Sequence, residues 1–301
     1  MKVLIIGLGS IAAKHINALN VVSTNNTFWA LRSKSDANSI PGVINIYKWT
    51  DIPNNLDFVI ISNITSRHIE TIRRCIELKV PLFIEKPPFD SMEGTKDVLS
   101  KIEKNGIRTY TAFNFRFNPL IQWLKNNLVD KRIIEIQIYC GSYLPEWRPG
   151  RDYRKIYSAH EDLGGGVHLD LIHELDYTVW LFGSPQKLVS RKRKASDLEI
   201  NSFDFAQYWL DYKDFNVTIS LNYYRRDPKR QIEIVMHNTT WTADLLKSQI
   251  TDFSGQIIFE DLANENTYVN QMRYFLKELN SGKHFMNDLA DSTKLLENCL
   301  S

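Results

Sequence analysis

Two stretches of this chain carry side chains able to move a proton or polarise an oxygen. The first is Glu85-Lys86-Pro87, which closes the apolar run Val80 to Ile84. A lysine at the C-terminal end of a parallel strand faces the ligand crevice of an open α/β sheet. There it could donate to a substrate hydroxyl or to a ribose, although a surface lysine beside a turn proline reads equally well. The bond before Pro87 is of the kind that tolerates the cis form. The second stretch runs Gly164-Gly165-Gly166-Val-His168-Leu-Asp170-Leu-Ile-His173-Glu174-Leu-Asp176. The spacing predicts one helix over 165–182, with Asp170 and His173 sharing a face at i, i+3 and Asp176 a turn further along. A carboxylate beside an imidazole orients it and favours its protonated form, which suits proton exchange at a carbinol oxygen. A helix start carrying acids and a core histidine is the competing reading, and metal binding by Asp170, His173 and Asp176 is a third. His168 points elsewhere.

The elements that would position these groups begin at the N-terminus. Val3 to Ile6 reads as a buried strand, broken at Gly7-Leu8-Gly9 and followed by a helix from Ser10. In this G-x-G-x-x-A turn Gly7 permits the tight bend, Gly9 removes a side chain that would block a pyrophosphate, and Ala12 lets helix and strand approach. The backbone N–H groups of Ser10 and Ile11 then face a phosphate. An ordinary βα turn needing small residues is the alternative. After the second strand (27–31), where a carboxylate commonly meets the ribose 2′-hydroxyl, the chain has Arg32-Ser33-Lys34-Ser35, with Asp36 one step too far along. These groups suit a 2′-phosphate and favour NADP(H) over NAD(H); a solvated basic loop would leave the preference open.

Strands at 57–62, 80–84 and 107–113 alternate with helices near 67–78 and 91–104. That alternation predicts a doubly wound parallel sheet over residues 1–118. From 119 to 301 the pattern changes. After a helix at 119–128, runs at 133–140, 187–193, 203–211, 215–223, 231–236 and 240–245 read as strands, the first alternating with period 2. They predict an α+β domain on a large, mostly antiparallel open sheet. Helices at 268–280 and 286–300 could pack back on the first domain.

Just before the three glycines, Arg148, Arg151, Arg154 and Lys155 crowd a loop with Trp147, Tyr153 and Tyr157. Guanidinium groups bind carboxylate or phosphate bidentately and aromatics stack on sugars, so the loop points to an anionic sugar, a nucleotide sugar or a sugar acid. A solvated loop reads as well. The run Arg191-Lys192-Arg193-Lys194 reads as a solvated strand edge. Composition excludes several classes. The 301 residues are 43% hydrophobic and 24% charged with a net charge of +2, so no strong field draws nucleic acid or a membrane surface. No apolar run approaches the roughly 20 residues of a membrane span. Met1-Lys2 leads straight into the first strand without a leader-like segment. Cys75, Cys140 and Cys299 have no metal spacing and suggest idle thiols in a reducing cytoplasm.

The segments GLGSIAAKH, ISNITSRHIE, EKPP, TAFNFRFNP and GGGVHLDLIHELDYTVWLFG, in that order, resemble the glucose–fructose oxidoreductase / inositol dehydrogenase / rhizopine catabolism (Gfo/Idh/MocA) family across nearly the whole chain. The resemblance implies a Rossmann domain, a C-terminal open-sheet domain, and NAD(P)-dependent redox chemistry on a sugar or polyol in a homodimer or tetramer. It implies that Lys86, Asp170 and His173 line the substrate pocket with His173 as acid/base. It places Asn63, His68 and Glu85 on the cofactor side, where Ser62 is a further candidate; Asn114 and Arg116 join the loop residues Trp147, Arg151, Tyr153 and Arg154 as substrate-side candidates. Ala12 replaces a usual glycine, Ile64 a usual proline, and Asp170 and His173 stand three apart where many members have four. The segment GSYLPEWRPGRDYRKIYSAHEDLGGG with DLIHELDY resembles a branch associated with cell-surface polysaccharide or nonulosonic-acid biosynthesis. Elimination or hydrolysis through transient oxidation, and a non-catalytic nucleotide sensor, are the other activities such a scaffold could carry.

Overall fold

Val3, Leu4 and Ile5 are fully buried, as befits a central strand of a parallel sheet covered on both faces. The computed structural model describes residues 1–33, 39–263 and 266–301; Lys34 and Ser35 of the basic loop lie outside the described residues. The chain divides into two units. One comprises Met1–Asn114 with Asn266–Leu296, the other Phe115–Glu265 with Glu297–Ser301.

The first unit contains β1 (Lys2–Ile6), α1 (Ser10–Val22), β2 (Thr27–Leu31), β3 (Val43–Ile46), β4 (Phe58–Ile61), α2 (His68–Cys75), β5 (Leu82–Ile84), α3 (Thr95–Lys104) and β6 (Thr109–Thr111). All its strand pairs are parallel, in the order β3-β2-β1-β4-β5-β6. The order reverses at β1 and β4, the switch point where such sheets bind ligands. From the C-terminal part of the chain, α7 (Thr267–Ser281) brings Met272 and Phe275 into the same core as Val3, Ile5, Phe58 and Phe83. The Phe275 ring meets Phe58 and Phe83 edge-on at 4.9 and 5.1 Å. The Arg108 guanidinium donates to the carbonyls of Leu279 and Glu278 near the end of α7, where a cation complements the helix dipole.

The second unit contains α4 (Pro119–Asn127), β7 (Ile133–Gly141), α5 (Val167–Asp170), α6 (His173–Phe182), β8 (Lys187–Arg193), β9 (Phe205–Asp211), β10 (Asn216–Asn222), β11 (Lys229–Met236), β12 (Thr240–Asp244), β13 (Gln249–Asp252) and β14 (Ile257–Glu260). The terminal helix α8 (Leu289–Leu300) crosses the boundary at residue 296. The eight strands run β14-β13-β12-β11-β7-β10-β9-β8, antiparallel except for β7 with β10. Period-2 patterning sets the register. Ile136 and Ile138 of β7 are buried and pair with Ile234 and Ile232 on one side and with Val217 and Ile219 on the other. Among the described residues no helix is long and apolar enough to cross a membrane.

The structure differs from the sequence expectations in five places. The helix expected from residue 91 begins at Thr95, because Gly94, with φ +70°, lies outside the helical region. β3, β13 and β14 were not anticipated; each has four residues, and β3 and β14 lie at sheet edges. Most consequentially, the single helix expected over 165–182 is two. Leu171, at φ −102° and ψ 27°, leaves the helical region. Asp170 therefore ends α5, His173 begins α6, and the two do not share one helix face.

Candidate active site

The turn after β1 is built on a close approach. Gly7 has φ +92°, and a Cβ there would lie 2.4 Å from backbone atoms of Asn63. Only glycine fits. The Ser62 hydroxyl donates to the Gly7 carbonyl at 2.8 Å, tying the end of β4 to the turn. Gly9 is different: a Cβ there would meet nothing within 4 Å, so the position opens onto free space at the start of α1. No side chain caps α1, and its first turn holds no acid. An uncapped helix start with small residues and no nearby carboxylate fits a pyrophosphate. Ser10 and Ile11 supply the first helical positions. Arg32 stands just past β2, and its guanidinium donates to the Asn45 side chain of β3 at 3.0 Å. Ser33 is exposed beside it, and Lys34 is not among the described residues.

The other expected cofactor-side residues form a second tier. The Asn63 side chain donates to Thr71 at 2.8 Å. His68 is buried, with Nδ1 facing the Pro88 carbonyl and Nε2 facing the Asn63 carbonyl, both at 3.1 Å. Burial pulls its pKa down against the raising effect of those carbonyls, and a neutral ring can donate to only one of them. His68 thus links the turn after β4 to the turn after β5. In that second turn the Glu85 carboxylate points inward. One oxygen meets His15 Nε2 of α1, and the other accepts the Lys86 backbone N–H at 3.1 Å. Lys86 follows β5 directly, and its peptide bond to Pro87 is cis. Asn114 is buried and donates to the Thr267 hydroxyl at 2.7 Å.

In the second unit, the break between α5 and α6 turns Asp170 into an aromatic clamp. Its two carboxylate oxygens accept hydrogen bonds from the hydroxyls of Tyr157 and Tyr223, each at 2.5 Å. Burial, reinforced by the Asp170 charge, holds both phenols well above their usual pKa, so both remain donors. Trp147 braces this arrangement: its ring stands edge-on to Tyr223 at 5.1 Å and its indole N–H donates to Ser142 at 2.8 Å. His173 is buried with its ring 4.8 Å from Phe115. The Arg230 guanidinium covers Phe115 at 3.6 Å, and its Nε donates at 2.6 Å to Glu174, the residue after His173. Arg116 donates through Nε and Nη2 to Asp176, at 2.9 and 2.6 Å. Burial pushes the Asp176 carboxyl up while Arg116 pulls it down. Asp176 is thereby engaged in holding Arg116 rather than aligned with Asp170 and His173.

The arginine loop is not uniform. Arg154 is paired with both Asp152 and Glu199. The Tyr153 hydroxyl accepts the Glu199 backbone N–H at 3.3 Å, and Arg151 is exposed.

Residues 1–113 match the family model described as "Oxidoreductase family, NAD-binding Rossmann fold", GFO_IDH_MocA. The first 113 residues of this chain are thus similar to that family's NAD-binding domain. Among relatives, it is 25% identical to an uncharacterized oxidoreductase, YrbE, of Bacillus subtilis (strain 168), over 70% of this chain and 63% of YrbE. That match spans less than two thirds of YrbE. It is 21% identical to the myo-inositol 2-dehydrogenase of Thermotoga maritima, over 94% of this chain and 89% of the relative. The solved UDP-N-acetylglucosamine 3-dehydrogenase GnnA of Acidithiobacillus ferrooxidans superposes with a TM-score of 0.78 at 17% identity, over 100% of this chain and 95% of that one; at that identity the likeness is one of fold.

In this chain, Tyr157, Tyr223, Arg230 and His15 were not singled out as site residues from sequence. Tyr157 lay inside the aromatic loop already noted, but nothing local marks Tyr223 or Arg230 as partners of residues more than 50 positions away. The three cysteines are buried and form no disulfide among the described residues, and burial pushes the Cys75 thiol up to about 12 and Cys299 up to about 11. Among the described residues no group of three or more His, Cys, Asp or Glu is placed to hold a metal.

Proposed function

We propose that this chain is an NADP(H)-dependent oxidoreductase acting at a carbinol or keto carbon of a sugar that carries an anionic group, a nucleotide sugar or a sugar acid. In this reading it serves cell-surface glycan biosynthesis in the cytoplasm as a homo-oligomer. The observation that carries the redox reading is the open, uncapped start of α1 beside Gly7 and Gly9 at the sheet's switch point. When bound, the nicotinamide cofactor supplies or accepts the hydride. The chain contributes the rest. Gly7, Gly9, Ser10 and Ile11 present backbone to the pyrophosphate, and Arg32 with Ser33 receives the 2′-phosphate. Glu85, braced by His15, fixes the backbone at Lys86, whose ammonium donates to the substrate oxygen. His173 takes or returns the proton at that oxygen. Asp170, held by the Tyr157 and Tyr223 hydroxyls, stands three residues before His173 and orients it.

The relatives support a polyol or sugar substrate, since one is named for myo-inositol and a structure of the same fold for a UDP-sugar. A fluorescence titration with NADPH and NADH tests the cofactor reading. NADPH is expected to bind at least ~10-fold more tightly, with Arg32→Ala removing most of that margin through lost charge-assisted hydrogen bonds. Equal affinities would reject the NADP(H) preference.

A further inference from the structure

The loop 148–155 contains three arginines that sequence alone cannot rank. Arg154 is neutralised by Asp152 and Glu199. Arg151 is exposed, with only its backbone N–H donating to the Arg148 carbonyl at 3.1 Å. Arg148 differs from both. It is half-buried, its guanidinium lies over the Tyr157 ring at 5.8 Å, and among the described residues no carboxylate pairs with it. Its neighbour Trp147 is fixed by Ser142 and Tyr223. The Tyr157 hydroxyl is committed to Asp170. One phenol ring therefore separates this guanidinium, without an ion pair among the described residues, from the buried Asp170 carboxylate three residues before His173.

A cation partly withdrawn from water is expected to meet a counter-charge, and a guanidinium presents a fork matched to carboxylate or phosphate. Among the described residues no carboxylate takes that place, and the guanidinium lies over the Tyr157 ring. We propose that Arg148 is the anion-binding residue of the substrate site, receiving a carboxylate or phosphoryl group on a sugar whose reacting carbon sits on the Asp170 side of Tyr157. This rests on the sugar-oxidoreductase reading and sharpens it, moving the anion contact from Arg151 and Arg154 to Arg148. Trp147 and Tyr157 then form the aromatic wall along which the sugar lies.

Isothermal titration of the full chain, without cofactor, tests the assignment with three probes: D-glucuronate, UDP and D-glucose. At least one anion should bind ten-fold or more tightly than D-glucose. Arg148→Met should weaken that anion about 10- to 100-fold, the range of a hydrogen bond to a charged group, while leaving D-glucose unchanged. Arg148→Lys should restore part of the loss. Lys155→Met removes the same charge from the same loop and should change anion affinity less than two-fold. Glucuronate binding identifies a sugar acid and UDP binding a nucleotide sugar; either supports the subsite. The proposal is overturned if both anions bind no more tightly than D-glucose, if Arg148→Met binds them as the wild type does, or if Lys155→Met matches its loss. A separate NADPH titration keeps the underlying reading distinct, because loss of cofactor binding would reject that reading without altering the anion result.

Discussion

Breaking the Arg230–Glu174 pair should destabilise this protein. Glu174 is fully buried, its Oε1 accepts from Arg230 Nε, and its other oxygen has no hydrogen-bond partner among the described residues. Arg230→Met leaves that carboxylate without a counter-charge. Uncompensated buried charges of this kind cost about 3–5 kcal/mol. Losing the guanidinium over Phe115 adds about 0.5–2 kcal/mol. At the ~2–4 °C per kcal/mol typical of larger domains, the midpoint should fall on the order of 10 °C. Thermal melting followed by circular dichroism measures it. The double variant Glu174→Leu with Arg230→Met removes both charges, and replacing a buried pair by apolar groups is often neutral. It should recover most of the loss, short only of the Phe115 contact. If the single variant melts within 2 °C of the wild type, on the same scale of ~2–4 °C per kcal/mol, the pair is not carrying the burial of Glu174. If the double variant melts no higher than the single, the loss does not come from an unpaired carboxylate.

The remaining predictions concern both units. Gly7→Ala should destabilise the first unit, because the positive φ alone costs about 1–2 kcal/mol and the new methyl would meet the Asn63 backbone at 2.4 Å; Gly9→Ala should melt normally yet bind NADPH at least ~10-fold more weakly, in line with a phosphate excluded from the open position. His168 should make the protein acid-sensitive. Burial lowers its pKa from 6.5 to about 4, so the unfolded chain takes up the proton first, and the stability present above pH 6.5 is lost as pH falls toward 4. The linkage amounts to about 3 kcal/mol, and urea unfolding of His168→Gln should show a flatter profile across that window. Tyr223→Phe should lower kcat more than it changes KM for the sugar, since it removes a hydroxyl donor to Asp170; an unchanged kcat would mean that this donor is not needed.

How much of this was legible in the sequence depended on how local the physics is. The turn at Gly7 and Gly9 could be read because its requirements lie within six residues, and β1 because burial on both faces demands a continuous apolar run. The sheet of the second unit showed through wherever one face is buried, as at Ile136 and Ile138. Its short outer strands β13 and β14 were hidden because little of their surface is buried. The break at Leu171 carries no glycine or proline, and the apolar spacing runs through it, so one helix was the natural expectation. The arginines at 148, 151 and 154 look alike in sequence. They separate because Asp152 and Glu199, the latter 45 residues on, pair with Arg154, while Arg148 is half-buried against Tyr157. The clamp on Asp170 needed Tyr223, 53 residues away, and no local pattern announces a partner at that distance. The solvated edge expected at 191–194 agrees with β8 standing at the end of its sheet.

The central claim is that this chain carries out net hydride transfer with His173 moving the proton. Following nicotinamide absorbance during turnover of a nucleotide sugar or sugar acid tests it most directly, with product quantified in the same reaction. One equivalent of cofactor should be oxidised or reduced per sugar converted, and His173→Ala should lower kcat by about 10²–10⁴ while NADPH affinity and melting temperature are retained. Sugar conversion without net change in the nicotinamide, or an undiminished kcat in His173→Ala, would contradict it.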